Sequence, residues 1–139
     1  MLVILDTNIL LSGLISSHTP PYRIFWHWRA KGFDLVTCPE QLEEIRRVSR
    51  YPKFRRILQP HRVGQMMNFM QESTVVDDLR VTKEADDPFD SWLLALAEAS
   101  HAHHHYLVTG DTRAGILGRI SIGQAEILTA AQFCSRLGI

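Results

Sequence analysis

The chain of 139 residues carries fifteen Lys+Arg against fifteen Asp+Glu, with 45% hydrophobic and 22% charged residues. That is enough apolar chain for one domain to bury a core without disulfides or a metal staple, and it excludes disordered, collagen-like and coiled-coil classes. A formal net charge of zero excludes nucleic-acid binding through bulk charge and leaves a local basic patch open.

Leu2-Val3-Ile4-Leu5 is apolar on both faces, as in a central parallel strand covered by helices, and the run ends at Asp6. Thr7 to Leu14 reads as a short helix, Ser17 to Pro21 as a turn, and Tyr22 to Ala30 as a helix stopped by Lys31-Gly32. Phe33 to Cys38 is the next strand, and Pro39 opens a helix with Leu42, Ile45 and Ser49 on one stripe. Pro52 and Pro60 each restart the chain, which predicts helices over Pro52 to Leu58 and His61 to Gln71. Thr74 to Asp77 is a short strand, Val81 to Asp86 a loop, and Asp87-Pro88 begins a helix to about Ser100. His105 to Thr109 and Ala125 to Leu128 are strands, and Thr129 caps a last helix to Leu137. There are no repeats or linkers, so residues 1–139 read as a single domain.

Strands alternating with helices predict an α/β sandwich around a mostly parallel sheet, where ligands bind outside the carboxyl ends of the strands. Cys38 and Cys134 lie far apart with no metal-ligand or disulfide spacing, as expected of buried thiols in a reducing compartment. The apolar N-terminus lacks a positive n-region and is broken by Asp6 and Asn8, and no apolar run is long enough to span a bilayer. The expected location is the cytoplasm, with no membrane contact.

Asp6 follows the first strand directly, and Asp111 follows the strand ending at Thr109 after one glycine. Asp87 and Asp90 stand in the first turn of the long helix, and Glu40, Glu43 and Glu44 in the first turns of the helix after the second strand. A parallel sheet gathers such positions at one edge, where crowded acids repel unless protonated or bridged by a cation. Hard oxygen donors select Mg²⁺ or Mn²⁺, the ions that equip phosphodiester hydrolysis.

Three phrases in order carry a resemblance: Leu5-Asp6-Thr7-Asn8-Ile9-Leu10, Asp87-Pro88-Phe89-Asp90 with Leu93-Leu94-Ala95-Leu96-Ala97, and Tyr106-Leu107-Val108-Thr109-Gly110-Asp111. With Pro39-Glu40-Gln41-Leu42-Glu43-Glu44-Ile45 and Arg50-Tyr51-Pro52-Lys53-Phe54, the chain resembles the PIN-domain nucleases, within them the VapC-like toxin components. The resemblance covers nearly the whole chain. It implies a three-layer α/β/α sandwich and a Mg²⁺- or Mn²⁺-dependent ribonuclease. It further implies a homodimer or higher homo-oligomer, held in check by a cognate antitoxin. The motif acids carry over as Asp6, Glu44, Asp90 and Asp111, with Thr7, Asn8 and Thr109 orienting them. Where the family often has a further acid, this chain has Arg113.

Several of these residues have plainer readings. Asp6 could cap the following helix, though the end of a central strand favours the metal. Asp87 before Pro88 stands evenly between cap and ligand. Glu43 has Arg46 and Arg47 within helical reach, whereas Glu44 has apolar Val48 at i+4, though Arg47 still stands at i+3, and Glu44 is expected to point inward. From Ile45 to Gln71 there is no acid but seven of the fifteen basic residues, which reads as a solvated face or as an RNA-phosphate flank of Arg46, Arg50 and Lys53, with Tyr51 and Phe54 for base stacking. Met66, Met67, Phe69 and Met70 read as core or as an adaptable partner groove. His101, His103, His104 and His105 read as a helix end, and Trp26, Trp28 and Trp92 as core.

Two rivals to the ribonuclease remain. One is a non-catalytic PIN-like module that binds RNA or a partner through a weakened metal site, kept open by Arg113. The other is a phosphotransfer protein using Asp6 as nucleophile, against which Asn8 stands where a second Asp would be needed.

Overall fold

Val3, Ile4 and Leu5 are buried in succession, so strand β1 (Leu2–Leu5) is covered on both faces and lies inside its sheet. The computed structural model describes residues 1–77, 91–99, 105–110, 121–122 and 125–139. In chain order β1 is followed by α1 (Thr7–Gly13), α2 (Pro20–Arg29), β2 (Asp34–Thr37), α3 (Pro39–Val48), α4 (Pro52–Arg55), α5 (Pro60–Gln71) and β3 (Thr74–Val75). Then come α6 (Ser91–Ala99), β4 (His105–Val108), β5 (Ser121–Ile122), β6 (Ala125–Leu128) and α7 (Ala130–Leu137).

Among the described residues the strand order is β3-β2-β1-β4-β6-β5. Every neighbouring pair is parallel except β5 with β6, which is antiparallel. β1 and β4 run in register from Leu2 opposite His105 to Leu5 opposite Val108, so both strands end at one edge. The period-two alternation of strand side chains then sorts the core into two layers. Val3, Leu5 and Val108 face a cluster with Leu10, Ile24, Met66 and Phe133 from α1, α2, α5 and α7. Ile4, Val36 and Leu107 face the opposite cluster, with Trp92, Leu93 and Leu96 of α6. The result is a three-layer α/β/α sandwich.

The helix ends follow their sequence signals. Thr129 and Gln132 form a reciprocal capping box at the start of α7, and Gly138 closes that helix in the left-handed region at φ 71°. The helix expected over Pro52 to Leu58 is the shorter α4, because Pro60 holds Gln59 extended and ends the ladder. The strand expected from Thr74 to Asp77 shortens to β3, an exposed edge that among the described residues pairs on one side only. The two-residue β5 went unpredicted. The loop Val81 to Asp86, the helix start at Asp87-Pro88 and His101, His103 and His104 lie outside the described residues; His105 opens β4.

Two aromatic expectations are corrected. Trp26 is 53% exposed, because α2 turns Ile24, Phe25 and Trp28 inward and leaves Trp26 on the far side. Phe54, expected to stack on bases, is buried in the core, while Tyr51 beside it is exposed. Met66 and Met70 are fully buried, and Met67 nearly so, which makes that stripe core. Both thiols are free and buried; burial pushes Cys38 up to about 12 and raises Cys134 as well, so neither is poised for thiolate chemistry. Among the described residues no helix is long and apolar enough to cross a membrane.

Candidate metal centre

The carboxyl edge of the sheet is built by β1 and β4. The Asp6 amide continues the strand ladder by donating to the Val108 carbonyl at 2.9 Å, and the Asp6 carbonyl then accepts the first turn of α1 from Ile9 and Leu10. Asp6 is therefore the pivot between strand and helix. It sits at the N-cap of α1, yet its side chain makes no capping hydrogen bond. Instead its Oδ2 accepts from the Thr109 hydroxyl at 2.8 Å, across a sequence separation of 103 residues. Both residues are buried. The capping alternative thus gives way to a carboxylate held across two strands.

The second acid comes from α3. Of its glutamates, Glu43 lies out in solvent beside Arg46 at 3.7 Å, a pairing of exposed groups that contributes little. Glu44, half-buried, turns toward the strand ends, where its Oε2 accepts from the Trp92 indole N–H at 2.8 Å. Burial first, and then the negative charge of Asp6, push the Glu44 carboxyl up to about 7; the hydrogen bond from Trp92, the neighbouring Thr7 hydroxyl and the charge of Arg47 pull the other way. Thr7 is buried in the first turn of α1, and its hydroxyl completes no hydrogen bond of good geometry among the described residues. Asn8, one residue on, is exposed.

Gln41 holds this arrangement together and was missed in the sequence. It is fully buried in the first turn of α3; its amide Nε2 donates to the Leu5 carbonyl at 2.6 Å, and its Oε1 accepts from the Thr37 hydroxyl at 2.6 Å. The residue that closes β1 just before Asp6 is thereby tied to the helix that carries Glu44. A signal was present: Gln41, Ile45 and Ser49 recur at four-residue spacing, so Gln41 belongs to the inward stripe. Gln41→Leu should leave both the Thr37 hydroxyl and the Leu5 carbonyl buried without a partner. A loss of about 2–4 kcal/mol in urea unfolding is expected; a loss near zero would show that the clamp carries no stability. Trp92 was read simply as core; it is buried, and its ring nitrogen also fixes the Glu44 carboxylate.

The described part of the site is thus two carboxylates close enough to disfavour each other's charge, with oxygen donors around them and no histidine or thiol directed at them. Such a set fits Mg²⁺ or Mn²⁺, since a cation would stabilise both ionised forms at once. Among the described residues no group of three potential metal-ligating side chains comes together. Asp87, Asp90, Asp111 and Arg113 lie outside the described residues. Of the basic residues, Arg46 and Arg50 line a groove beyond Glu44 on α3, and Lys53 sits apart with its Nζ 5.3 Å from the centre of the Phe54 ring.

No curated protein and no solved structure matches the chain. The family model of the PIN domain, a nuclease-type fold whose nucleases typically use divalent metals, matches residues 2–113, from the start of β1 to just past Asp111. With a parallel sheet in three layers and Asp6 at the carboxyl end of its central strand, the chain belongs to the PIN-domain family.

Proposed function

We propose that the chain, as one domain over residues 1–139, is a Mg²⁺- or Mn²⁺-dependent endoribonuclease that leaves a 5′-phosphate and a 3′-hydroxyl. In this reading it is a cytoplasmic, VapC-like toxin of a toxin–antitoxin pair, assembled as a homodimer or higher homo-oligomer and restrained by its antitoxin. The observation that carries the catalytic part is the meeting of Asp6 and Glu44, with Glu44 pushed up to about 7 by burial and by Asp6. A carboxylate pair kept at such a cost, at the ligand-binding edge of a parallel sheet, is expected where a cation bridges it.

Asp6, Glu44, Asp90 and Asp111 are the proposed ligands, with Asp87 held between ligand and cap. Asp90 and Asp111 are proposed from their match to the motif that carries the family resemblance. When bound, the cation supplies Lewis acidity toward the scissile phosphate and toward the attacking water. The chain's own contribution is orientation. Thr109 fixes one Asp6 oxygen and Trp92 fixes one Glu44 oxygen, which sets the orientation of each carboxylate. Arg46, Arg50 and Lys53 would bind the RNA backbone.

The test compares neighbours on α3. Glu44→Gln should lower metal-dependent cleavage of a mixed-sequence RNA by about a hundredfold or more, on the scale of one lost ligand, while Glu43→Gln stays within about twofold, as for other exposed charges. Equal losses would mean that the wrong glutamate has been assigned. Retained RNA binding without cleavage in the parent at any divalent metal would favour the non-catalytic module.

A further inference from the structure

We infer that the groove between the end of α3, α4 and the start of α5 is a second RNA subsite, which holds the strand away from the scissile bond on Arg50 and Arg55 over the bare helix surface at Gly64. The inference rests on the nuclease reading and names where its substrate runs.

The groove has a volume of about 440 Å³, in the range of small-molecule sites. Arg46, Arg50 and Arg55 line it, and among the described residues no acidic side chain does. Its floor is apolar, made by Leu58, Val63 and Met67, each largely buried. Arg46 is partly answered by Glu43. Among the described residues neither Arg50 nor Arg55 meets a carboxylate at ion-pair distance. In a chain of zero net charge, two unanswered guanidinium groups over an apolar floor complement a nucleotide: the forks suit phosphate oxygens, and the floor suits the ribose or base.

Gly64 is the second observation. It lies in the interior of α5, where glycine is disfavoured. No internal contact asks for it, since a Cβ there would meet nothing within 4 Å. What the missing side chain provides is open space on the wall of this groove.

The groove is also connected to the metal centre. Glu44 and Arg47 stand one turn apart on α3, about 4.5 Å along its axis, and Arg50 follows in the turn just past the helix end, its amide donating to the Arg47 carbonyl at 3.2 Å. Arg47 acts on the Glu44 carboxyl already. A strand engaged at the metals therefore passes along positive side chains into the groove. Lys53 has no part in it, and Arg55 does.

The experiment measures binding of a single-stranded 12-nucleotide RNA of mixed sequence to Asp6→Asn protein, in which cleavage is silenced, across a salt series. Gly64→Gln should weaken binding by about tenfold while Tm stays level or rises, because a better helix former has replaced glycine. Arg50→Ala and Arg55→Ala should each flatten the salt dependence by roughly 0.7, the value for one single-strand phosphate contact. If the parent binds RNA and the Gly64→Gln and arginine variants bind it equally well, the subsite is overturned while the nuclease reading stands. If the parent binds no RNA, both fall. If polyglutamate competes for the groove and RNA does not, the groove belongs to an acidic protein segment and the inference is overturned.

Discussion

Asp6→Asn should lower RNA cleavage on the order of a thousandfold or more, the loss of roughly 4 kcal/mol of transition-state stabilisation, while the folded protein becomes more stable in the absence of metal. The two effects share a cause. The side chain keeps its place, because an amide oxygen can still accept the Thr109 hydroxyl that Oδ2 accepts now. The backbone ladder to Val108 does not involve the side chain at all. What is lost is one negative charge, the second-largest cause of the raised Glu44 carboxyl. Cleavage assays at saturating Mg²⁺ and thermal melts in a chelator read the two effects separately. Cleavage at the parent's rate by the purified variant would remove Asp6 from the catalytic assignment.

The second large effect is a pH dependence of stability that metal should reverse. In the folded chain the Glu44 carboxyl is pushed up to about 7 from 4.5, so between those values the folded state holds a proton that the unfolded chain has released. Stability is then highest below about 4.5 and falls as pH rises, with the loss complete above about 7. The shift corresponds to about 3 kcal/mol for this half-buried group, on the order of 10 °C in Tm. Metal-free protein should thus melt lower at pH 8 than at pH 5, and Glu44→Gln should remove most of that slope. Mg²⁺ should stabilise more at pH 8, where both carboxylates are ready to bind it. An unchanged slope in Glu44→Gln would show that other groups set it. The exposed Glu126, lowered by its hydrogen bond from Arg136, acts in the opposite sense and stays present in the variant.

The sequence announced the buried strands plainly because burial on both faces leaves an unbroken apolar run, as in Leu2-Val3-Ile4-Leu5. Pro39, Pro52, Pro60 and the Thr129 cap marked helix starts for equally local reasons, whereas Pro20-Pro21, which read as a turn, open α2. What escaped was decided across the fold. Trp26 and Trp28 are alike in sequence, and only the packing of α2 puts one outside and the other in. Phe54 lies in a basic stretch that reads as surface, yet its helix turns it into the core. Of the site, Glu44 was separable from Glu43 by the partners one turn further along, a local signal. The Trp92 and Gln41 hydrogen bonds were not legible, because each partner lies tens of residues away: Trp92 reaches back 48 positions and Gln41 reaches back 36.

The splice of Asp6 into the β1–β4 ladder has a consequence for how the protein breathes. A strand with neighbours on both sides, capped above and below by apolar layers, opens only when the whole sheet does, so the Asp6 amide belongs to the slowest-exchanging class of the molecule. Asp6 cannot be unmasked or withdrawn by a local fluctuation, and a partner that silences it must cover it or compete for what it binds. The four-residue α4, which carries Arg55 outside the sheet, is held through its buried Phe54 and not by strands on both sides, so it can open at less than the global cost. One half of the proposed substrate path is as rigid as global stability allows, and the other is free to adapt to whichever strand arrives.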